Sequence, residues 1–156
     1  MFKLIRFLVT HGIALVAGIA LGIYLLPVLT APDAPSNAEV SSSAAQALFT
    51  GDFHRKLPGS DFLHWGEGQI SISTKQISFM GSIAPGPDYQ LYLTPTLAQT
   101  EQEFLMMKDE SAKIGAVKTF DNFILDIPKN IDPTNYRALI VWCESFGEFI
   151  TAASYR

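Results

Sequence analysis

A chain of 156 residues with 12% aromatic content and a mean hydropathy of +0.21 carries enough apolar side chain for one folded domain, which excludes a disordered polypeptide. Two of its 11 Lys and Arg, Lys3 and Arg6, precede an apolar N-terminal run; the remainder sets nine bases against 15 acids, a net of −6. Phosphate backbones are bound by clustered Lys and Arg, so that sign argues against a nucleic-acid partner. The single cysteine, Cys143, excludes an intrachain disulfide, Cys-x-x-Cys redox motifs, c-type haem attachment and multi-cysteine zinc sites.

Phe7 to Leu29 is free of formal charge, and as a helix it spans about 35 Å at about 1.5 Å per residue, slightly more than a hydrocarbon core. Thr10 and His11 lie near one end, Tyr24 at interfacial depth near the other, and Pro27 in the last turns. Lys3 and Arg6 precede the run and the next base is Arg55, so the N-terminus is expected in the cytoplasm and the rest outside it. Residues 1–29 therefore read as a single-pass signal anchor. The competing reading is a cleaved signal peptide, whose apolar core runs about 7–15 residues before a small-x-small site. Pro32 and Pro35 make poor sites after Ala31 and Ala34, and Ser43-Ala44-Ala45 lies far from the run. No cysteine follows that would mark a lipoprotein. Ala14, Gly18 and Gly22 form a small-residue stripe with a dimer-type spacing, open also to the plainer reading that small residues are common in such helices.

Residues 30–47, with Ala31-Pro32-Asp33-Ala34-Pro35 and Ser41-Ser42-Ser43, lack apolar periodicity and are expected to be an extended or flexible linker holding the domain off the bilayer. From residue 48 to 156 period-two patterns dominate. Ile70 and Ile72 alternate with Ser71 and Ser73; Ile77, Phe79 and Gly81 with Ser78 and Met80; Leu91 and Leu93 oppose Gln90 and Thr94; Phe123, Leu125 and Ile127 oppose Asp126. Arg137–Cys143 and Glu148–Tyr155 close the series, and Pro58-Gly59, Pro85-Gly86-Pro87, Pro128-Lys129-Asn130 and Asp132-Pro133 mark turns. About seven to nine short strands at such spacing predict an all-β fold, a β-sandwich or closed barrel. One helix is expected between Thr96 and Lys113, where Thr100-x-x-Glu103 has capping-box spacing.

Five pieces in order carry a resemblance: Gly51-Asp52-Phe53; His64-x-Gly66-x-Gly68-Gln69-Ile70-Ser71-Ile72; Pro85-Gly86-Pro87-Asp88-Tyr89-x-Leu91-Tyr92-Leu93; Ile114 to Lys118 with Asn122-Phe123 and Ile127-Pro128; and Tyr136 through Trp142-Cys143 to Phe146-Gly147. From about Phe49 to Tyr155 the chain resembles the DM13 (DM-thirteen) electron-transfer family, related to DOMON domains. The resemblance implies a β-sandwich whose late cysteine is a redox thiol or prosthetic-group ligand; that cysteine maps onto Cys143. The longer stretch before Ile114 departs from the family, so nothing carries over to Leu97–Lys108.

Cys143 shares a face with Leu139 and Val141, which makes a core cysteine the plain alternative to a redox thiol. Thiolate chemistry needs partial exposure and a positive neighbour, and adjacent Glu144 is expected to raise the thiol pKa instead. Glu144 to Arg156 holds no His or Met, which speaks against a blue-copper site, and no other metal site is indicated. Haem would draw on Cys143, His54, His64 or Met80, which no spacing pairs. His64 is the second candidate cofactor contact, with a structural turn role as its alternative. Asp88 is expected to shape a turn by accepting backbone N–H groups. No nucleophile elbow, P-loop or His-Glu-x-x-His is present. Together these features predict a membrane-anchored, extracytoplasmic electron-transfer or thiol-redox module with an envelope or membrane partner. The alternative is a non-catalytic envelope binding module in which Cys143 is only core.

Overall fold

The structure is a computed structural model and describes residues 2–156. Helix α1 (Phe2–Thr30) is apolar on every side and none of its residues is buried, although Pro27 is half-covered. It is long and apolar enough to cross a membrane. Three of its polar side chains turn back on its own backbone: Thr10 Oγ1 donates to the Phe7 carbonyl at 3.0 Å, His11 Nδ1 lies 2.8 Å from the same oxygen, and Thr30 Oγ1 donates to Leu26 at 2.8 Å. Such closure removes the cost of a polar group in a medium without water.

The segment expected to be an extended or flexible linker contains a second helix, α2 (Asn37–Ala44). Ser36 and Glu39 form a reciprocal cap, the Ser36 amide donating to Glu39 Oε2 at 2.8 Å and the Glu39 amide to Ser36 Oγ at 3.3 Å. Val40, 2% exposed, is its one buried side chain. Asn122 Nδ2 donates to Asn37 Oδ1 (2.7 Å) and to the Pro35 carbonyl (3.2 Å), and Ser43 Oγ donates to Gln76 Oε1 (3.1 Å). One apolar anchor makes no periodicity, which is why the pattern concealed this helix. The segment is a strap laid along the domain.

Eight antiparallel strands follow: β1 (Phe49–Phe53), β2 (Gly66–Ile72), β3 (Gln76–Ile83), β4 (Tyr89–Thr94), β5 (Ala112–Val117), β6 (Phe123–Asp126), β7 (Ala138–Cys143) and β8 (Glu148–Ser154). They form two four-stranded sheets, ordered β1-β2-β3-β6 and β5-β4-β7-β8, so the fold is the all-β sandwich. Between the sheets lie Ile70, Ile72, Ile77, Phe79, Leu91, Leu93, Leu139, Val141 and Ile150, with Cys143 at one end. Their alternation along each strand makes one face apolar. The opposite faces are covered as well. Helix α2 packs on β3, which buries Ser71 and Ser78 despite their polarity. Helix α3 (Glu101–Met107) covers the second sheet by setting Phe104 against Trp142 and Tyr92, ring centroids 4.9 and 5.3 Å apart.

Helix α3 is shorter than the stretch from Thr96 to Lys113. Thr100 Oγ1 caps the Glu103 amide at 3.3 Å, but Glu103 Oε2 accepts from Gln99 and not from Thr100. A 3-10 turn over Lys108–Glu110 ends the helical stretch, and Ala112 and Lys113 already belong to β5. Pairing with the edge of β4 supplies backbone hydrogen bonds that the local helical preference does not outweigh.

Candidate functional site at the Cys143 end of the sandwich

Register places Tyr89 of β4, Cys143 of β7 and Glu148 of β8 side by side at one end of the second sheet. The turn from Pro85 to Asp88 enters β4 there, and the turn from Glu144 to Gly147 leaves β7. Gly147 takes a φ of +68°, and its amide donates to the Cys143 carbonyl at 2.9 Å. Asp88, with a φ of +53°, joins the two turns. Its carbonyl accepts from the Glu144 amide at 3.1 Å, and its carboxylate accepts from Ser145 Oγ at 2.8 Å and Gln90 Nε2 at 3.2 Å. Asp88 thus shapes a turn, but through side-chain donors in place of the expected backbone N–H groups. The left-handed conformation is one that Asp tolerates.

A mostly apolar cavity of about 330 Å³ opens at this end. Cys143 and His64 both line it, together with Leu63, Pro87, Tyr89, Phe146 and Glu148, while Ala20, Ile23 and Tyr24 of α1 form its far wall. A second cavity of about 380 Å³ lies between Leu26, Pro27 and Thr30 and the same Gly86–Tyr89 turn. Any side chain at position 86 would strike the Tyr89 phenol, so glycine is what lets that ring close over the turn.

Cys143 is 3% exposed, and its Sγ donates to the Pro87 carbonyl at 3.1 Å. Burial pushes its thiol pKa up; the Phe146 and Ser145 amides pull the other way, while the Asp88 and Glu148 charges add to the rise. The expected contribution of Glu144 is displaced by this geometry. Alternation turns Glu144 to the other face of the sheet, where Tyr92 Oη donates to Oε1 and Lys108 Nζ to Oε2, the latter at 2.6 Å. Burial raises the Glu144 carboxyl, but those hydrogen bonds and the Lys108 and Lys113 charges outweigh it and hold the group below its ordinary range.

His64 is fixed by Asp61, whose Oδ1 accepts from the Leu63 and His64 amides (2.7 and 2.8 Å) and whose Oδ2 lies 3.0 Å from Nδ1. That orients the ring with Nε2 as its free nitrogen. The other haem-ligand candidates stand apart: His54 is exposed just past β1, and Met80 is half-buried on β3, neither lining the cavity. Among the described residues no group of three or more His, Cys, Asp or Glu could hold a metal ion. A thiol and an imidazole are donors that haem iron accepts. Here, however, the sulfur is buried, already bonded to a carbonyl and held in its protonated form, so the pair does not fit a prosthetic group in this arrangement. The carboxyl pair of Glu101 and Glu148 had no signal in the sequence, because it joins α3 to β8. A hydrogen bond to Glu148 raises the Glu101 carboxyl, burial and the Glu148 charge add to this, and His64 opposes it.

A protein-family model described as Electron transfer DM13 matches residues 56–155, which is 100 of the 156 positions. The match takes in His64, the Pro85–Tyr89 turn and Cys143, and it starts after β1. No curated protein and no solved structure matches the chain. Two four-stranded sheets, the ordered motifs on their strands and the match across most of both sheets together make this chain a member of the Electron transfer DM13 family.

Proposed function

We propose that the protein is a membrane-anchored, extracytoplasmic redox module that exchanges electrons with a membrane or envelope partner, with Cys143 as its working residue. The observation that carries the reading is the shared cavity: Cys143 and His64, singled out from motifs 79 positions apart, line one apolar space beside the anchor. Family membership supports the electron-transfer class. Lys3 and Arg6, in the first turns of α1 ahead of its uncharged run, support the outward placement of the domain. In this role the thiol gives up one electron to a one-electron acceptor of the partner and becomes a thiyl radical, its proton going to water; Tyr89, whose phenol burial pushes far up, stays neutral beside it. The test uses the full chain in phosphatidylcholine vesicles with ferricyanide as the one-electron acceptor. Wild type should yield ferrocyanide, whereas Cys143→Ser and Cys143→Ala should not, each with an unchanged far-ultraviolet circular dichroism spectrum. Equal yields from all three would overturn the assignment.

A second reading, a non-catalytic envelope module, is favoured by the burial of Cys143 and its bond to Pro87. Under that reading both substitutions lower stability and leave ferrocyanide production unaltered.

A further inference from the structure

We propose that the Cys143 end of the sandwich lies against the outer surface of the bilayer, with Phe62, Leu63 and Phe146 at interfacial depth, so that the cavity opens onto lipid. These three side chains are 85%, 40% and 55% exposed, and Leu63 and Phe146 form the rim of the cavity whose far wall is α1. The length of α1 sets the depth. Its 29 residues extend about 43 Å at about 1.5 Å each, against a hydrocarbon core of about 30 Å that needs roughly 20 of them. Counted from Phe7, where the uncharged run begins after Lys3 and Arg6, roughly 20 residues reach Leu26, so the outer surplus is about one turn, from Pro27 onward. Ile23 and Tyr24 therefore lie within one turn of the outer boundary, and the side chains packed opposite them meet the first acyl carbons and the headgroups above them. A tyrosine at that level is characteristic of the interface.

The strap keeps the domain there. Only residues 31–36 separate α1 from α2, and α2 is fastened to the domain through Val40, Asn37 and Ser43. The charges around the rim are mixed: Asp61 beside His64, Glu148 on the cavity wall, and Arg55 folded 3.5 Å over the Trp65 ring. Apolar insertion and not attraction to anionic lipid is therefore the driving interaction, and zwitterionic vesicles suffice. Whatever exchanges electrons with Cys143 would have to arrive through the interface.

The inference rests on α1 spanning the membrane, and the experiment separates the two. The full chain is placed in phosphatidylcholine vesicles containing lipid brominated near the glycerol end of the acyl chain. Phe62→Trp, Phe146→Trp and Leu48→Trp are compared with wild type, whose Trp65 and Trp142 supply the common background. Leu48 is as exposed as Phe146 but sits beside Ile72 at the opposite end of the sandwich. Most of the emission added at positions 62 and 146 should be quenched and that at 48 retained. Equal quenching at all three positions, or none at any while the chain resists alkaline carbonate extraction, overturns the inference and leaves the anchor intact. Release of the chain by carbonate overturns the anchor and with it the inference. Concentration-dependent burial of the indole introduced by Phe62→Trp, without bromide quenching, would assign the rim to a second copy of this chain and overturn the lipid assignment.

Discussion

Replacing Val40 tests whether the strap is part of the folded domain. Val40→Ala deletes two methyl groups from a side chain that is 2% exposed. At about 0.8 kcal/mol per buried carbon the transfer loss is about 1.6 kcal/mol, and an incompletely collapsed void brings it to about 2 kcal/mol. Against a domain stability of roughly 5–15 kcal/mol this is a readable shift in a guanidinium chloride midpoint. Val40→Asp behaves differently. An unpaired carboxylate under the helix costs about 3–5 kcal/mol, more than α2 gains by docking through one apolar anchor, so the helix detaches and the sandwich persists. The assay is hydrogen exchange with mass spectrometry on the full chain in phosphatidylcholine vesicles. Val40→Asp should strip protection from residues 37–44 and deepen exchange at Ser71 and Ser78, which α2 covers, while β7 keeps its protection. Ala38→Ser, on the exposed side of α2, is the control and should change neither measurement. An unmoved midpoint for Val40→Ala together with unaltered exchange for Val40→Asp would mean that the strap holds nothing, and the docking account would fall.

Other outcomes follow from the charges around the site. Cys143, with its raised pKa, should alkylate with iodoacetamide more slowly than an ordinary thiol at neutral pH and should still be accelerating above the ordinary value near 9.0. Asp88→Asn, which keeps a residue at ease with positive φ but removes a charge, should speed the reaction at fixed pH; slower alkylation would contradict the electrostatic account. Glu144 has a folded pKa below its ordinary value near 4.5, so its contribution is present at neutral pH and is lost as pH falls below that value. Exchange protection of α3 should decline over that acid range, and Glu144→Gln should abolish the pH dependence while costing about 1–3 kcal/mol. A titration of α3 protection unchanged by Glu144→Gln would count against a role for the Glu144 bonds to Lys108 and Tyr92.

Much of the architecture was legible because it is local. Alternation in Ile70–Ser73 and Ile77–Met80 encodes a face, which is all that such a sandwich strand must specify, and the short unbroken apolar run of Arg137–Cys143 encodes a strand buried on both faces. Strands β1 and β5 were the weaker signals. Phe49–Phe53 includes Gly51, which lies against the Ser154 carbonyl, and Ala112–Val117 has few strongly apolar residues. Both form by pairing with strands elsewhere in the chain.

The site divides the same way. Composition and residue order were enough for the apolar span, the two-sheet fold, the family motifs and the placement of Cys143 on the inner face with Leu139 and Val141. Chain folding had to bring Cys143 and His64 to one cavity, turn Glu144 away to Lys108 and Tyr92, set Asp88 and Glu148 as the nearby charges, and strap α2 across the domain beside α1. Each of those depends on residues distant in sequence meeting across a turn or between sheets. No periodicity records such a meeting, because a pattern of apolar positions specifies which side is buried and leaves open what it is buried against.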